Sequence, residues 1–388
     1  MPTDPERLAT IVESLRKSRT DAYICSSSPH VLLLTGYSPV LGNSVAVCTA
    51  SGQVVVVVPE DELEIAQATT SARLIPYRPA AMDRQTSAFQ ELSLCVAQAT
   101  QELGLATATI GHETNYSMRP ATYVSTAAFS RAFTRLLRKA IPGATLQRCG
   151  AALCSLAARK TSYEVDRLRT AVRIASSAFE AGPRSIHPGA TEPEIASSFQ
   201  AAFDTSPHAA AVQRSFGSFF CMSGPHSSAA SAAYARTRRR TIERGDIVMI
   251  HANTCADGFW TDITRTYIAG DPSPRQTSIQ TAIAEARHAA LAAIRPGVTG
   301  DQVDRAARDV MTRHGFGAAF RHPTGHGLGF EGISGEARPR IHPAYTDPIE
   351  QGSTFNIEPA AYFDGYGGMR HCDMVAVTAT GVEVLTDF

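Results

Sequence analysis

The stretch Asp246-IVMIHANTCADGFWTDITRTY-Ile268 sets two runs rich in apolar and β-branched residues on either side of Asp257-Gly258. That dipeptide between such runs predicts a β-hairpin. His251 and Asp262 stand eleven positions apart, symmetric about the midpoint of Ala256 and Asp257. A hairpin closed there sets the two side chains opposite one another, on one face. A second stretch, Phe355-NIEPAAYFDGYGGMRHCDMVA-Val377, behaves likewise, with Glu358 and Cys372 symmetric about Gly365. Between them lies Arg321-HPTGHGLG-Phe330, where glycines flank His326 and permit close approach of backbone and ligand. His251, Asp262, His326, Glu358 and Cys372 are all competent transition-metal ligands, and the spacing predicts that they converge. A lone histidine or a lone acid is ordinarily structural or solvated. Two symmetric pairs and a glycine-flanked histidine point instead to one site.

Outward from this core, the second half reads as an α+β layout, an antiparallel sheet with helices on one side. Helices are predicted over Ser162–Ala181, after Thr191 (with Glu194 as a capping box), from about Thr277 to Ile294, and over Gly300–His314. Each of its two parts has a pair of helices followed by a strand pair with Asp-Gly at the turn, which suggests an internal pseudo-twofold repeat. The first half alternates strand and helix signals, as an α/β layer domain does. Arg7–Arg19 has helical spacing, Ala22–Cys25 and Val31–Leu34 read as buried strands, and Val45–Cys48 with Val54–Val58 read as a hairpin. Ala88–Leu103 reads as a helix and Ala108–Gly111 as a further strand. The expected domains are 1–157 and 158–388.

The 388 residues suffice for two ordinary domains, and a 44% hydrophobic content excludes disorder. Lys+Arg and Asp+Glu balance at 36 each, so no net field draws the chain to nucleic acid or anionic membrane. The basic run at Arg236–Arg240 reads as a solvated face for the same reason. No apolar stretch is long enough to span a bilayer. MPTDPERLATI has acids and prolines where a secretory signal needs a basic and then an apolar run, so a cytoplasmic protein is expected. Eight irregularly spaced cysteines fit free thiols in a reducing compartment.

Asp262-ITR-Thr266, Thr324-GHGL-Gly329, Ile357-Glu-Pro359 and Gly368-MRHC-Asp373 resemble, in order and spacing, the signature blocks of the creatinase/aminopeptidase P/prolidase/methionine aminopeptidase superfamily, the pita-bread enzymes. Thr35-Gly36-Tyr37 and the strand–helix order of the first domain resemble the creatinase-type N-terminal domain, and Arg159-KTSYE-Val165 resembles the entry to the catalytic domain. The resemblance implies an α/β creatinase-like N-terminal domain followed by a pita-bread catalytic domain. Peptidases of this family bind two metal ions through Asp, Asp, His, Glu and Glu. Asp262, His326 and Glu358 keep those residues, whereas His251 replaces the first Asp and Cys372 the last Glu. Where the peptidases carry a proton-handling histidine some eight residues after Ser223-Gly224, the nearest histidine here is the displaced His226. Ile333-Ser334 stands where they have a His-Glu pair, and His322 is present four residues before His326.

These replacements imply one transition-metal ion, zinc, iron or copper before manganese because a thiolate is soft, with a second ion near His251 weak or absent. The resulting expectation is a metal-dependent hydrolase of a C–N bond in a small amino-acid- or peptide-like substrate, not a standard Xaa-Pro peptidase. Alternatives are a metal-independent creatinase-like hydrolase, a redox metalloenzyme acting on a small amino-acid-like molecule, and a binding module. Glu358, His226 and His322 are the candidate proton handlers, and Arg370, Tyr234 and Trp260 the candidate substrate-binding residues. By resemblance, a homodimer is expected.

Overall fold

The structure is a computed structural model that describes residues 4–40, 43–80, 82, 84–113, 131–231, 236–332, 334 and 337–388. It divides into two compact units, the first ending at Ala157 and the second running from Ala158 to Phe388. No helix among the described residues is long and apolar enough to cross a membrane.

In the first unit, strands β1 (Ala22–Cys25), β2 (Val45–Thr49), β3 (Val54–Pro59), β4 (Arg73–Tyr77), β5 (Thr109–His112) and β6 (Thr145–Arg148) form one mixed sheet in the order β4-β3-β2-β1-β5-β6. β2 and β3 form the hairpin across Ser51-Gly52, Gly52 taking φ 84°. Helices α1 (Pro5–Lys17), α2 (Ser28–Thr35), α3 (Leu63–Thr69), α4 (Ala88–Glu102), α5 (Arg131–Ala140) and α6 (Gly150–Ala158) complete it. Val55, Val57, Ile75, Val96, Ile110 and Leu137 belong to its buried core. Val31–Leu34, read above as a strand, lies in α2. An apolar run buried on all sides has no period to separate helix from strand. The deciding signals were at its ends: Pro29 in the first turn, and Gly36 at the C-cap with φ 78°.

The entry to α2 is held by a buried carboxylate. Glu113 Oε1 accepts from the backbone N–H groups of Ser26 and Ser27 at 2.7 and 2.8 Å and from Ser26 Oγ at 2.9 Å. Its Oε2 accepts from Ser27 Oγ at 2.8 Å and contacts His30 Nδ1 at 2.7 Å. Cys25, His30 and Glu113 bring their donor atoms within 4.8 Å of one another. The carboxylate is already saturated by these five contacts, which makes the trio an anchor of the fold. Burial alone would raise the pKa of Glu113, but His30 and the serine donors hold it at about 2. Glu113→Ala strands several buried donors, at about 1–3 kcal/mol each, so a loss of several degrees in melting temperature is expected by calorimetry. The carboxylate's contribution is present above its unfolded pKa of about 4.3. It fades as pH falls through the folded value, so the gap between wild type and variant should narrow in acid.

The second unit begins with α7 (Ser162–Ala181) and α8 (Glu192–Asp204), each opened by a capping box, Thr161 with Glu164 and Thr191 with Glu194. Strands β7 (Ser215–Ser223), β8 (Ile247–Ala256) and β9 (Phe259–Ile268) follow as an antiparallel sheet in that order. Next come α9 (Pro274–Ala293) and α10 (Gly300–Arg313), then β10 (Thr354–Ile357), β11 (Ala360–Phe363), β12 (Gly367–Arg370), β13 (Asp373–Val377) and β14 (Val382–Val384). Ile174, Ala178, Ile195 and Phe199 of α7 and α8 pack on Phe219, Val248, Ile250 and Ile263 of the first sheet. Ile279, Ile283, Val303 and Val310 of α9 and α10 share a second core with Phe355, Ile357, Met369 and Val375. The helices therefore cover one side of the strands, and the polar residues considered next gather on the other.

Candidate active site

Hairpin β8–β9 closes through a two-residue turn at Asp257 and Gly258, with φ 47° and 89°. Ala256 pairs with Phe259, so the centre lies one residue beyond the midpoint assumed above. His251 therefore faces Thr264, and Asp262 faces Asn253. Side-chain direction has period two, so this two-residue offset leaves His251 and Asp262 diagonal on the same face rather than directly opposed. β10 pairs with β13 and β11 with β12 in one register centred on Gly365. That register sets Glu358 and Cys372 at matching positions. The two hairpins join where Cys372 N donates to Thr264 O at 3.0 Å.

The segment carrying His326 lies along β10, with Asn356 N donating to His326 O at 3.1 Å and Glu358 N to Thr324 O at 2.8 Å. Gly325 is required for this approach, since a Cβ there would stand 1.8 Å from Asn356 O. The glycine makes room for backbone here, not for ligand.

Asp262 is the hub of the cluster. His326 Nε2 lies 3.4 Å from its Oδ2, His251 Nδ1 3.5 Å from its Oδ1, and Cys372 Sγ 4.0 Å from Oδ1. These residues are buried, apart from a partly exposed His326 ring. His326 Nδ1 donates to Gly327 O at 3.0 Å, which directs Nε2 at Asp262. Asn356 Nδ2 stands among three of the candidate ligands, 3.2 Å from His326 Nε2, 3.4 Å from Asp262 Oδ2 and 3.5 Å from Cys372 Sγ. Glu358 Oε2 is 3.6 Å from Arg370 Nη1.

The charges of these groups are strongly coupled to their burial. Burial pushes the Glu358 carboxyl up to about 7, helped by Asp262 and opposed by Arg370 and His326. Asp262 is lowered, because the attraction of His251, His326 and Arg370 outweighs its burial. His326 is opposed by burial yet raised to about 9 by Asp262 and Glu358. Burial lowers His251 and His322 to about 4 each, so both rings are neutral. The Cys372 thiol is pushed well above its ordinary range by burial and then by Asp262 and Glu358.

Two ligands about 2.0–2.1 Å from a tetrahedral ion lie roughly 3.3 Å apart. The Asp262–His326 separation of 3.4 Å fits one edge of such a site. The amide of Asn356 meets its acceptors at distances long for hydrogen bonds. Among the described residues the donors do not close on one another to within 4.8 Å as a trio. The carboxylate, imidazole and thiol chemistry around Asp262 nonetheless fits a metal cation.

The remaining expectations meet mixed outcomes. Arg370, expected to bind substrate, is buried and directs its donors to the site itself: Nε to Thr264 Oγ1 at 3.1 Å and Nη2 to His251 Nδ1 at 2.9 Å. His322, expected to handle protons, donates from Nδ1 to Pro323 O and accepts at Nε2 from Tyr362 Oη, at 2.8 and 2.9 Å. Its lone pair is thus committed to positioning Tyr362. His226 lies on the 3-10 turn Gly224–Ser231, pinned where Gly368 N donates to Ser227 Oγ at 2.8 Å. Among the described residues no hydrogen bond or ion pair joins its ring to the cluster, and its buried Nδ1 has no partner. Tyr234 and Ile333 lie outside the described residues. Trp260, two positions from Asp262 on the same face, packs edge-on against half-exposed Phe216 at 5.3 Å and forms an aromatic wall.

Asn253 and Asn356 were missed. Asn253 is buried opposite Asp262 with neither amide atom in hydrogen-bond geometry, and Asn356 precedes Glu358 by two on the same strand. The correct turn centre, and the rule that alternate strand residues share a face, would have found both.

Residues 166–379, more than half of the chain, match the pattern of Metallopeptidase family M24. The chain is 24% identical over 381 residues to a Xaa-Pro dipeptidase of Pyrococcus horikoshii, covering 98% of this chain and 97% of that one. It is 34% identical over 223 residues to the Probable dipeptidase PepE of Mycobacterium tuberculosis, 57% of this chain and 56% of that one. Among solved structures, an X-Pro aminopeptidase from Thermotoga maritima superposes with a TM-score of 0.79 at 21% identity, covering 100% of this chain and 98% of that one.

Proposed function

Because the chain belongs to metallopeptidase family M24, and with it to the pita-bread hydrolases, we propose that it cleaves a C–N bond in a small amino-acid- or peptide-like substrate. One metal ion would be held by Asp262, His326, Glu358 and Cys372. The observation that carries this reading is the convergence of His326 and Cys372 on Asp262, at 3.4 and 4.0 Å. Such an ion supplies a polarised carbonyl and a water made nucleophilic near neutral pH. The chain's own residues do the rest. Asp262 stays ionised, and the Gly327 carbonyl orients the His326 ring. Glu358, close to neutrality in its pKa, is suited to take and return a proton. Trp260 and Phe216 offer an apolar surface to a substrate side chain. A thiol in the donor set favours zinc, iron or copper over manganese.

Departure from standard Xaa-Pro cleavage is supported by His251 and Cys372 at two ligand positions and by the displaced position of His226 in the sequence. A second reading, ordinary Xaa-Pro dipeptide hydrolysis, is favoured by the name of the Pyrococcus relative that matches end to end. Metal analysis of the purified protein, followed by assay of Xaa-Pro dipeptides beside N-acylated amino acids and creatine-like compounds, separates the two. Rapid turnover of Xaa-Pro dipeptides would establish the second reading, and firmly bound metal in two equivalents would remove the single-ion site. We also infer, from the whole-chain likeness, a homodimer and an internal pseudo-twofold repeat; a monomer in analytical ultracentrifugation would remove the former.

His326, raised to about 9, carries a proton at neutral pH in the metal-free protein, and an incoming ion must displace it. Metal affinity is therefore expected to rise with pH between about 6 and 8. Titration calorimetry in buffers of different ionisation enthalpy should show at least one proton released per ion. Binding independent of pH and buffer would contradict the assignment.

A further inference from the structure

The two histidines beside Asp262 use Nδ1 in opposite ways, one facing an acceptor and the other a donor. At His326 a backbone carbonyl faces Nδ1, and a carbonyl only accepts, so the hydrogen is on Nδ1 and Nε2 is turned to Asp262. At His251 the partner of Nδ1 is Arg370 Nη2, 2.9 Å away. A guanidinium has five N–H donors and no acceptor. At that distance Nδ1 meets the donor by offering its lone pair, which leaves the hydrogen on Nε2; the carboxylate oxygen Oδ1 of Asp262 stands farther from the same nitrogen, at 3.5 Å.

Thr264 strengthens the assignment. Its Oγ1 lies 3.0 Å from the same Nδ1 and accepts from Arg370 Nε at 3.1 Å, so the guanidinium grips ring and hydroxyl side by side. His251 and Thr264 are a registered pair across β8 and β9, and Phe220 of β7, registered with His251, stacks on the ring at 6.2 Å and 23°. The ring plane is thus fixed from both neighbouring strands. One nitrogen has given its lone pair to Arg370 and the other carries a hydrogen. Freeing Nε2 for a cation would move its hydrogen to Nδ1, directly against the Arg370 donor.

We infer that His251 is a positioning residue and not a metal ligand, and that the His251–Arg370 pair takes the place of a second ion. The guanidinium supplies fixed positive charge 3.6 Å from Glu358, where a dinuclear site would need an exchangeable metal. The single-ion part rests on the function proposed above, whereas the tautomer does not.

Side-chain 15N NMR of the metal-free protein, with histidine labelled, tests the tautomer. His251 should show an unprotonated Nδ1 and a protonated Nε2, and a protonated Nδ1 would overturn the inference. Metal titration tests the rest. Wild type should bind about one zinc, and His251→Ala should keep that equivalent with affinity lowered by no more than roughly 10–100-fold, as for a group that acts through a ligand. His251→Asn, whose side-chain oxygen can accept from Arg370, serves if the alanine variant does not fold. His251→Asp should admit a second equivalent. Loss of the bound zinc in His251→Ala and His251→Asn, to the extent seen in Asp262→Ala, would make His251 a ligand and overturn the inference. If wild type binds no zinc, the single-ion reading falls, and the NMR result still decides the tautomer.

Discussion

Asp262→Asn is expected to yield a folded protein that no longer retains a metal ion or hydrolyses any substrate the wild type accepts. The side chain keeps its volume, and its neighbours on β8 and β9 keep their register. What disappears is the one anion on which His251, His326 and Cys372 all converge, within 4.0 Å. Changes to groups that merely support a ligand cost about 10–100-fold in metal affinity or activity, and removal of the hub should exceed that. Elemental analysis after gel filtration gives the first readout. The second is the His326 ring, raised to about 9 against its burial chiefly by Asp262 and Glu358, which should titrate lower by NMR in the variant. Retention of wild-type metal content by a folded Asp262→Asn protein would place the centre elsewhere.

Asp373→Ala should instead destabilise the second unit. Asp373 is fully buried beside Cys372, where it accepts from Arg265 Nη2 at 2.9 Å, Thr386 Oγ1 at 2.8 Å and Arg287 Nε. Arg265 also donates to Cys372 O and Thr386 O, both at 2.7 Å, so the carboxylate braces the end of the chain against the strand that carries Cys372. Removing one partner of a buried pair costs about 3–5 kcal/mol, because the charges left behind stay desolvated. For a unit of this size that corresponds to a fall of roughly 10 °C in melting temperature, measurable by calorimetry on the metal-free protein. Burial would raise the carboxyl's pKa, yet His371 and the two arginines hold it well below the usual range. Its stabilisation is therefore present above the unfolded pKa of about 3.9 and is lost as pH falls toward the folded value. Wild type and variant should converge only in strong acid. A shift of less than a few degrees at neutral pH would show that water reaches the arginines.

Much of the site was legible because strand geometry is periodic. Gly365 as the centre of the second strand pair placed Glu358 against Cys372, and the register agrees. The first centre was misplaced by one residue, yet His251 and Asp262 still share a face, because moving the centre by one residue shifts each pairing by two. Roles were harder to read than positions. What His251, His322 and Arg370 do depends on which nitrogen meets which acceptor across β-strands and loops distant in sequence, and spacing carries no trace of that. α2 was hidden because Val31–Leu34 is buried on every side, leaving only its end signals to betray a helix.

The turn at Asp257-Gly258 limits how this site can vary. Arg167 binds Asp257 Oδ2 at 2.6 Å, while the backbone N–H groups of Gln213 and Arg214 donate to the same carboxylate, so the loop is moored to α7 and to the approach of β7. Lengthening it by one residue would exchange the inward and outward faces of one strand relative to the other, carrying either His251 or Asp262 into the helix-packed side. Lengthening by two would preserve the faces but slide the rows past each other. The loop acts as a phase setting for the chemistry above it, and chains that share this site should vary in length almost anywhere before they vary there.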